Sequence, residues 1–232
     1  STQGYSSAAS DVYKRQELMD RITSAFPHIL FESCAGGGGR FDAGMLYYMP
    51  QAWASDNTDP IERLTIQFGT TMCYPASSMG AHVSACDRTG IETKAAVAMA
   101  GTFGYELDPK EMSEEDKEKV KEQVKNYHRY YNVIHFGDLY RIIAPTDDEF
   151  KCAWEYVAKD KSEALLTVVI KNRAPHDFLL IKMKGLDPEK MYRDETDGEI
   201  YSGALLMNAG INLTDGTLSA GRSFVRYFTE VK

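Results

Sequence analysis

Between residues 17 and 138 the chain alternates short apolar runs with helix-forming stretches, at about 30 residues per strand-helix pair, the usual size of such a unit. Roughly four pairs fit. Parallel strands need long crossovers, so this rhythm commits the stretch to an α/β arrangement. Eight such pairs close a barrel in ~250 residues, and residues 17–138 therefore read as half of a (β/α)8 barrel. From Leu139 the texture changes. Trp154–Val157, Ala164–Ile170, Phe178–Met183 and Ser223–Val231 are short β-rich runs, separated by turn signals at Asp187-Pro188, Asp197-Gly198 and Asp215-Gly216. Residues 139–232 read as an antiparallel β-sandwich, and the whole chain as α/β plus all-β.

Individual elements follow from local signals. Leu18, Ile22 and Phe26 recur at helical spacing, which predicts a helix over 17–26 stopped by Pro27. His28–Ser33 reads as a first strand and Met49–Trp53 as a weak second one. Asp59 followed by Pro60 is an N-cap with proline at the first helical position, and Ile61, Leu64 and Phe68 form that helix's apolar stripe up to Gly69. Thr70–Pro75 reads as the third strand. The Ala-rich stretch Thr93–Phe103 reads as helix or strand and leads into Gly104-Tyr105-Glu106-Leu107-Asp108. Ser113-Glu114-Glu115-Asp116 opens a long helix, with Val120, Val124, Tyr127 and Tyr131 on one face. Residues 1–16 carry no apolar period and resemble translated sequencing-adapter read-through. They are expected to stand outside the fold, with the remainder a C-terminal piece of a longer protein.

Two loops carry the chemistry. Cys34-Ala35-Gly36-Gly37-Gly38-Gly39-Arg40-Phe41-Asp42 follows the first strand, and Trp53-Ala54-Ser55-Asp56 follows the second. Four glycines leave no side chains in the way of a close-approaching ligand. Arg40-Phe41 stands where a phosphate-binding P-loop needs Lys then Ser or Thr, and the dinucleotide pattern lacks its third glycine. Both departures argue against nucleotide binding. The net charge of −8, with no basic cluster, argues against a nucleic-acid partner. No apolar stretch approaches the ~20 residues that cross a bilayer. The four cysteines form no CxxC pair and have no histidine at metal spacing, so they read as reduced thiols of a cytoplasmic protein without structural zinc.

The residues alone leave roles open. Asp56 fits a carboxylate for acid-base work or a loop aspartate ahead of a helix. Cys34 fits a small buried hydrophobe, and Trp53 fits a flat apolar surface for a polar ligand or core. His82 fits best as a hydrogen-bonded structural histidine. Asp42 fits the end of the glycine loop, held by side-chain to backbone bonds.

Phe31–Cys34 through Arg40-Phe41-Asp42, Gly44–Gln51, Trp53–Asp56, Tyr74-Pro75, Ser78–Ser84, Gly104–Asp108, Lys184–Lys190 and Leu206–Gly210 together resemble the alpha-galactosidases of glycoside hydrolase family 36. Ala35 departs from the family, which more often has serine there. The resemblance implies a retaining alpha-galactosidase acting on terminal alpha-galactosides such as melibiose and raffinose. Asp56 would be its proton donor and acid/base, and Cys34, Gly37, Trp53 and Asp56 its substrate-binding residues. The family's nucleophile lies in an earlier Trp-Asp motif that these 232 residues do not contain. The chain alone is therefore expected to be inactive. No metal or organic cofactor is implied, and homotetramers are common in the family. The alternatives are an alpha-galactosyl transglycosylase of the raffinose or stachyose synthase kind, or a non-catalytic sugar-binding protein.

Overall fold

The computed structural model describes residues 2–34, 36–37, 39, 41–86, 88–173, 178–216 and 218–231, with side chains from residue 12 onward. Helix α1 spans Thr2–Ala25. The helix expected over 17–26 thus extends back to Thr2 and ends before Phe26. Leu18 and Phe26 are both exposed, so the stripe drawn through them is not a packed face.

Four strand-helix pairs follow: β1 (Glu32–Ser33) with α2 (Ala43–Tyr48), β2 (Gln51–Trp53) with α3 (Pro60–Thr70), β3 (Met79–Ser84) with α4 (Ile91–Ala98), and β4 (Thr102–Glu106) with α5 (Glu114–Phe136). The strands form one parallel sheet in the order β1-β2-β3-β4, with each strand beside its sequence neighbour. One strand expectation fails. Thr70–Pro75 is not a strand, because α3 runs on to Thr70 and closes through Thr71, whose N–H donates to the Gln67 carbonyl. The third strand starts at Met79 instead, after a 3-10 turn over Ala76–Ser78. Of His28–Ser33 only the last two residues pair. The Ala-rich stretch is helix first and strand after, with Gly101 between them. A Cβ there would lie 2.5 Å from the Met79 carbonyl oxygen, so only glycine fits. Ser113 caps α5 by accepting from the Asp116 N–H at 3.1 Å, as its signature predicts.

Beyond α5 come β5 (Asp138–Ile143), β6 (Lys151–Val157), β7 (Glu163–Ile170), β8 (Leu180–Ile181), β9 (Met191–Asp194), β10 (Ile200–Ser202), the short helix α6 (Gly203–Asn208), β11 (Ile211–Asn212) and β12 (Ser223–Glu230). Six of these strands make an antiparallel sheet in the order β10-β9-β12-β7-β6-β5, and β8 pairs with β11. Strand β7 is the hinge of the packing. Leu166, Val168 and Ile170 enter one core with Ile181, Leu206 and Ile211 from the small sheet and α6. Leu165, on the opposite face, enters a second core with Val83, Ala98, Val133 and Ile134 of the strand-helix pairs. A strand buried on both faces reads as one continuous apolar run, which is why Glu163–Ile170 shows no alternation. The Tyr156 hydroxyl crosses the same boundary and donates to the Ala100 carbonyl at 2.8 Å.

Candidate active site

The carboxyl ends of the four parallel strands lie on one side, where Cys34 follows β1, Trp53 ends β2, Ser84 ends β3 and Glu106 ends β4. The register places Trp53 opposite Gly80, His82 opposite Gly104 and Ser84 opposite Glu106. Trp53, His82, Ser84 and Glu106 therefore share one face of the sheet. Ala81 and Val83, on the other face, are fully buried, with Val83 packed among residues of α4 and α5.

The glycine loop and the Asp56 loop meet. Gly37 has φ +72 and is buried, and a Cβ built on it would lie 2.5 Å from the Ser55 Cα and 2.6 Å from the Asp56 backbone nitrogen. Only a residue without a side chain allows that approach, and the left-handed φ asks for glycine as well. Cys34, at the mouth of the same loop, is exposed rather than a core residue. Ala35 lies outside the described residues. Asp42 ends the loop as its sequence suggests, accepting from the Met45 N–H at 2.8 Å to cap α2.

Asp56 is exposed, while the residues around it are tied down. Ser55 Oγ accepts from the Asn57 N–H at 3.1 Å, and Asn57 Oδ1 accepts from the Asp59 N–H at 3.1 Å. Asp59 Oδ1 in turn caps α3, accepting from Ile61 and Glu62 at 2.8 and 3.0 Å. Burial pushes the Asp59 carboxyl upward. The two backbone N–H groups and the Arg88 guanidinium outweigh that and hold it below its ordinary value. Because Asp59 does the capping, the Asp56 carboxylate is left without a hydrogen-bond partner among the described residues.

Arg63 is the residue that sequence reasoning missed. It sits one turn into α3, and helical side chains tilt toward the N-terminus, so its guanidinium reaches back beneath the preceding loop. Nε donates to the Asn57 carbonyl at 2.6 Å and Nη2 to the Ser55 carbonyl at 2.7 Å. Its guanidinium also lies 4.4 Å from the centroid of the Trp53 ring. Arg63 is only 3% exposed, and burial lowers its pKa against the opposing pull of Glu106 and Asp56. Trp53 itself is 7% exposed, with the His82 ring 4.9 Å away, so most of its surface is taken up inside the protein.

His82 behaves as the hydrogen-bonded histidine that was expected. Its Nδ1 lies 3.2 Å from Glu106 Oε1, and Ser84 Oγ donates to Glu106 Oε2 at 3.2 Å. Glu106 was hidden in the Gly-Tyr-Glu-Leu-Asp element, and the cue for it was its place at a strand's carboxyl end. A shallow cleft with little enclosed space lies beside Arg63, His82 and Ser84. Among the described residues no group of three or more His, Cys, Asp or Glu could hold a metal ion, and no helix is long and apolar enough to cross a membrane.

Such a site offers an exposed carboxylate on a fixed loop, an exposed thiol and a glycine loop seated against that carboxylate's backbone. It suits a polar, neutral ligand and acid-base chemistry upon it. Comparison with known proteins bears on that chemistry. The chain is 45% identical over 223 residues to the bifunctional alpha-galactosidase/sucrose kinase AgaSK of Mediterraneibacter gnavus, covering 93% of this chain and 24% of that protein. It is 48% identical over 205 residues to alpha-galactosidase AgaA of Geobacillus stearothermophilus, covering 84% of this chain and 28% of AgaA. Crystal structures of AgaA variants in complex with raffinose and with stachyose superpose with a TM-score of 0.88 at 44% identity, covering 93% of this chain and 30% of theirs. The chain thus spans about a quarter of the length of the curated relatives it matches. Residues 151–228 match the C-terminal domain of glycosyl hydrolase family 36. Residues 4–137, more than half of the chain, match the Melibiase family, and the chain belongs to that family.

Proposed function

We propose that the chain is part of a retaining alpha-galactosidase that releases terminal alpha-galactosyl units from sugars such as melibiose and raffinose. The observation that supports this reading most is the seating of Gly37 against the Ser55–Asp56 backbone, which brings the glycine loop against the loop that carries Asp56. Asp56 is the acid/base: it protonates the departing oxygen, then takes a proton from the incoming water. Cys34 and the Gly37 backbone contact the galactosyl unit, and Trp53 backs the same subsite. Retaining hydrolysis needs a second carboxylate about 5 to 5.5 Å from the first, acting as nucleophile. Asp42 and Asp108 are spent on backbone N–H groups, and Glu106 is engaged by His82 and Ser84. We assign the nucleophile to chain outside these 232 residues.

The sequential parallel order β1-β2-β3-β4 supports reading residues 17–138 as half of a (β/α)8 barrel. The two antiparallel sheets around one core support a C-terminal β-sandwich over 139–232. A cytoplasmic, self-associating enzyme without a cofactor completes the proposal, on the strength of the family resemblance.

The test is Asp56→Ala in the full-length enzyme. Turnover of melibiose, whose leaving sugar needs a proton, is expected to fall by about 10²- to 10⁴-fold. An aryl galactoside with an acidic phenol as leaving group needs little protonation, so formation of the glycosyl-enzyme survives. Azide then accelerates its breakdown. Equal losses on both substrates, without an azide effect, would return Asp56 to the role of a loop aspartate.

A further inference from the structure

Arg63 is a cation with 3% of its surface exposed, and the two groups it binds are neutral backbone carbonyls. Glu106 and Asp56 act on it through space only, and its Nη1 has no hydrogen-bond partner among the described residues. Burying a charge in this way is costly, and a well-packed apolar side chain at the fourth helical position would avoid the cost. Its contacts show what the guanidinium does there. The carbonyls it holds belong to Ser55 and Asn57, the residues on either side of Asp56. From another direction Gly37 presses on the Ser55 Cα and the Asp56 nitrogen. The guanidinium carbon lies over the Trp53 ring, 4.4 Å from its centroid, and Trp53 itself belongs to the paired strand β2.

We propose that Arg63 is a positioning residue for acid/base catalysis: its guanidinium clamps the backbone on both sides of Asp56 and aims the carboxylate at the glycosidic oxygen. The inference rests on the assignment of Asp56 made above. The geometry asks for arginine specifically. Two donors diverging from a rigid planar fork reach two carbonyls two residues apart, whereas a lysine ammonium is a point charge on a flexible stem and replaces one contact at most. Asp56 has no bond of its own to hold it among the described residues, so the aim of its side chain depends on the backbone beneath.

The experiment uses Arg63→Lys and Arg63→Met in the full-length enzyme, each alone and combined with Asp56→Ala. Both single variants are expected to lose about 10²-fold in kcat/KM on melibiose, the scale of a misplacement near 1 Å, and only a few-fold on the aryl galactoside with the acidic leaving group. In the Asp56→Ala background neither substitution should cause further loss on either substrate, because the residue they position is gone. Thermal unfolding separates this from general damage. If Arg63→Met does not fold, Arg63→Lys carries the test, since it keeps the stem and the charge. Equal losses on both substrates, or an undiminished loss in the Asp56→Ala background, would overturn the proposal and make Arg63 a structural residue only. A single Asp56→Ala variant without leaving-group selectivity would instead sink the assignment of Asp56.

Discussion

At the scale of single residues, the sequence distinguishes two neighbouring aspartates correctly. Proline directly after Asp59 marks it as the cap, which leaves Asp56 free. Arg63 and Glu106 are illegible for the opposite reason, since their partners lie across a loop or a sheet and no local rule points there. A third residue of this kind is Glu155, fully buried in β6. One of its oxygens accepts from the Lys184 N–H and the other has no partner among the described residues. Burial pushes its carboxyl up to about 8, with the Lys184 N–H and ammonium opposing. Between the ordinary 4.5 and about 8, the folded protein therefore holds a proton that the unfolded chain has lost. Stability must fall as pH rises through that window, by up to about 1.4 kcal/mol per unit from this one group. Glu155→Gln is expected to remove that component: thermal midpoints like the parent's near pH 5, and higher than the parent's at pH 8. Parallel midpoint curves from pH 5 to 8 would show that Glu155 is already ionised in the folded state.

At the scale of elements, helices with caps were legible and short parallel strands were not. Ser113 and Asp59 open their helices as predicted, because a cap is decided within three or four residues. β1 and β2 are two and three residues long, too short for a period, and their pairing depends on neighbours far along the chain. Thr70–Pro75 misled because its residue types suit a strand, while the turn closing α3 had already claimed Thr71 to Tyr74. The glycine loop is the exception, legible as a feature but not in its detail. Gly36 and Gly37 both have positive φ, yet a Cβ on Gly36 meets nothing within 4 Å, whereas on Gly37 it strikes the Asp56 backbone. Gly36→Ala should therefore cost only conformational strain, about 1–2 kcal/mol, with activity within a few-fold of the parent. Gly37→Ala should displace the Asp56 loop and lose about 10²-fold or more in melibiose turnover. Comparable activity in the two variants, measured with melting temperatures, would mean that the Gly37 contact does not set the geometry of the site.

At the scale of the molecule, β7 explains why the two halves of the chain hold together: its two faces feed two cores, one reaching the small sheet and one reaching α4 and α5. The change of texture at Leu139 shows in the sequence because the two halves differ in period. Their mutual packing does not show, since Leu165 and Leu166 look alike there and only the register sends them to opposite sides. The parallel sheet has two open edges among the described residues. Its outer strands are β1 and β4, each paired on one side only among the described residues, and Glu106 at the carboxyl end of β4 is exposed. Parallel sheets are stable when both faces are covered, and unpaired edges recruit other chains. The isolated 232-residue chain is therefore expected to aggregate with rising concentration and, on the assignment proposed above, to show no turnover even of an activated aryl galactoside, because the proposed acid/base Asp56 would lack its nucleophile. On the same assignment, co-expression with the part of AgaA outside its matching region should supply further strands and the nucleophile together, raising solubility and turnover in the same step. If Asp56 is the acid/base, strands that restore solubility also bring the second carboxylate toward it, and the two readouts should rise together. Turnover by the isolated chain at a rate comparable to the full-length enzyme would place the nucleophile within these residues and undo the assignment made above.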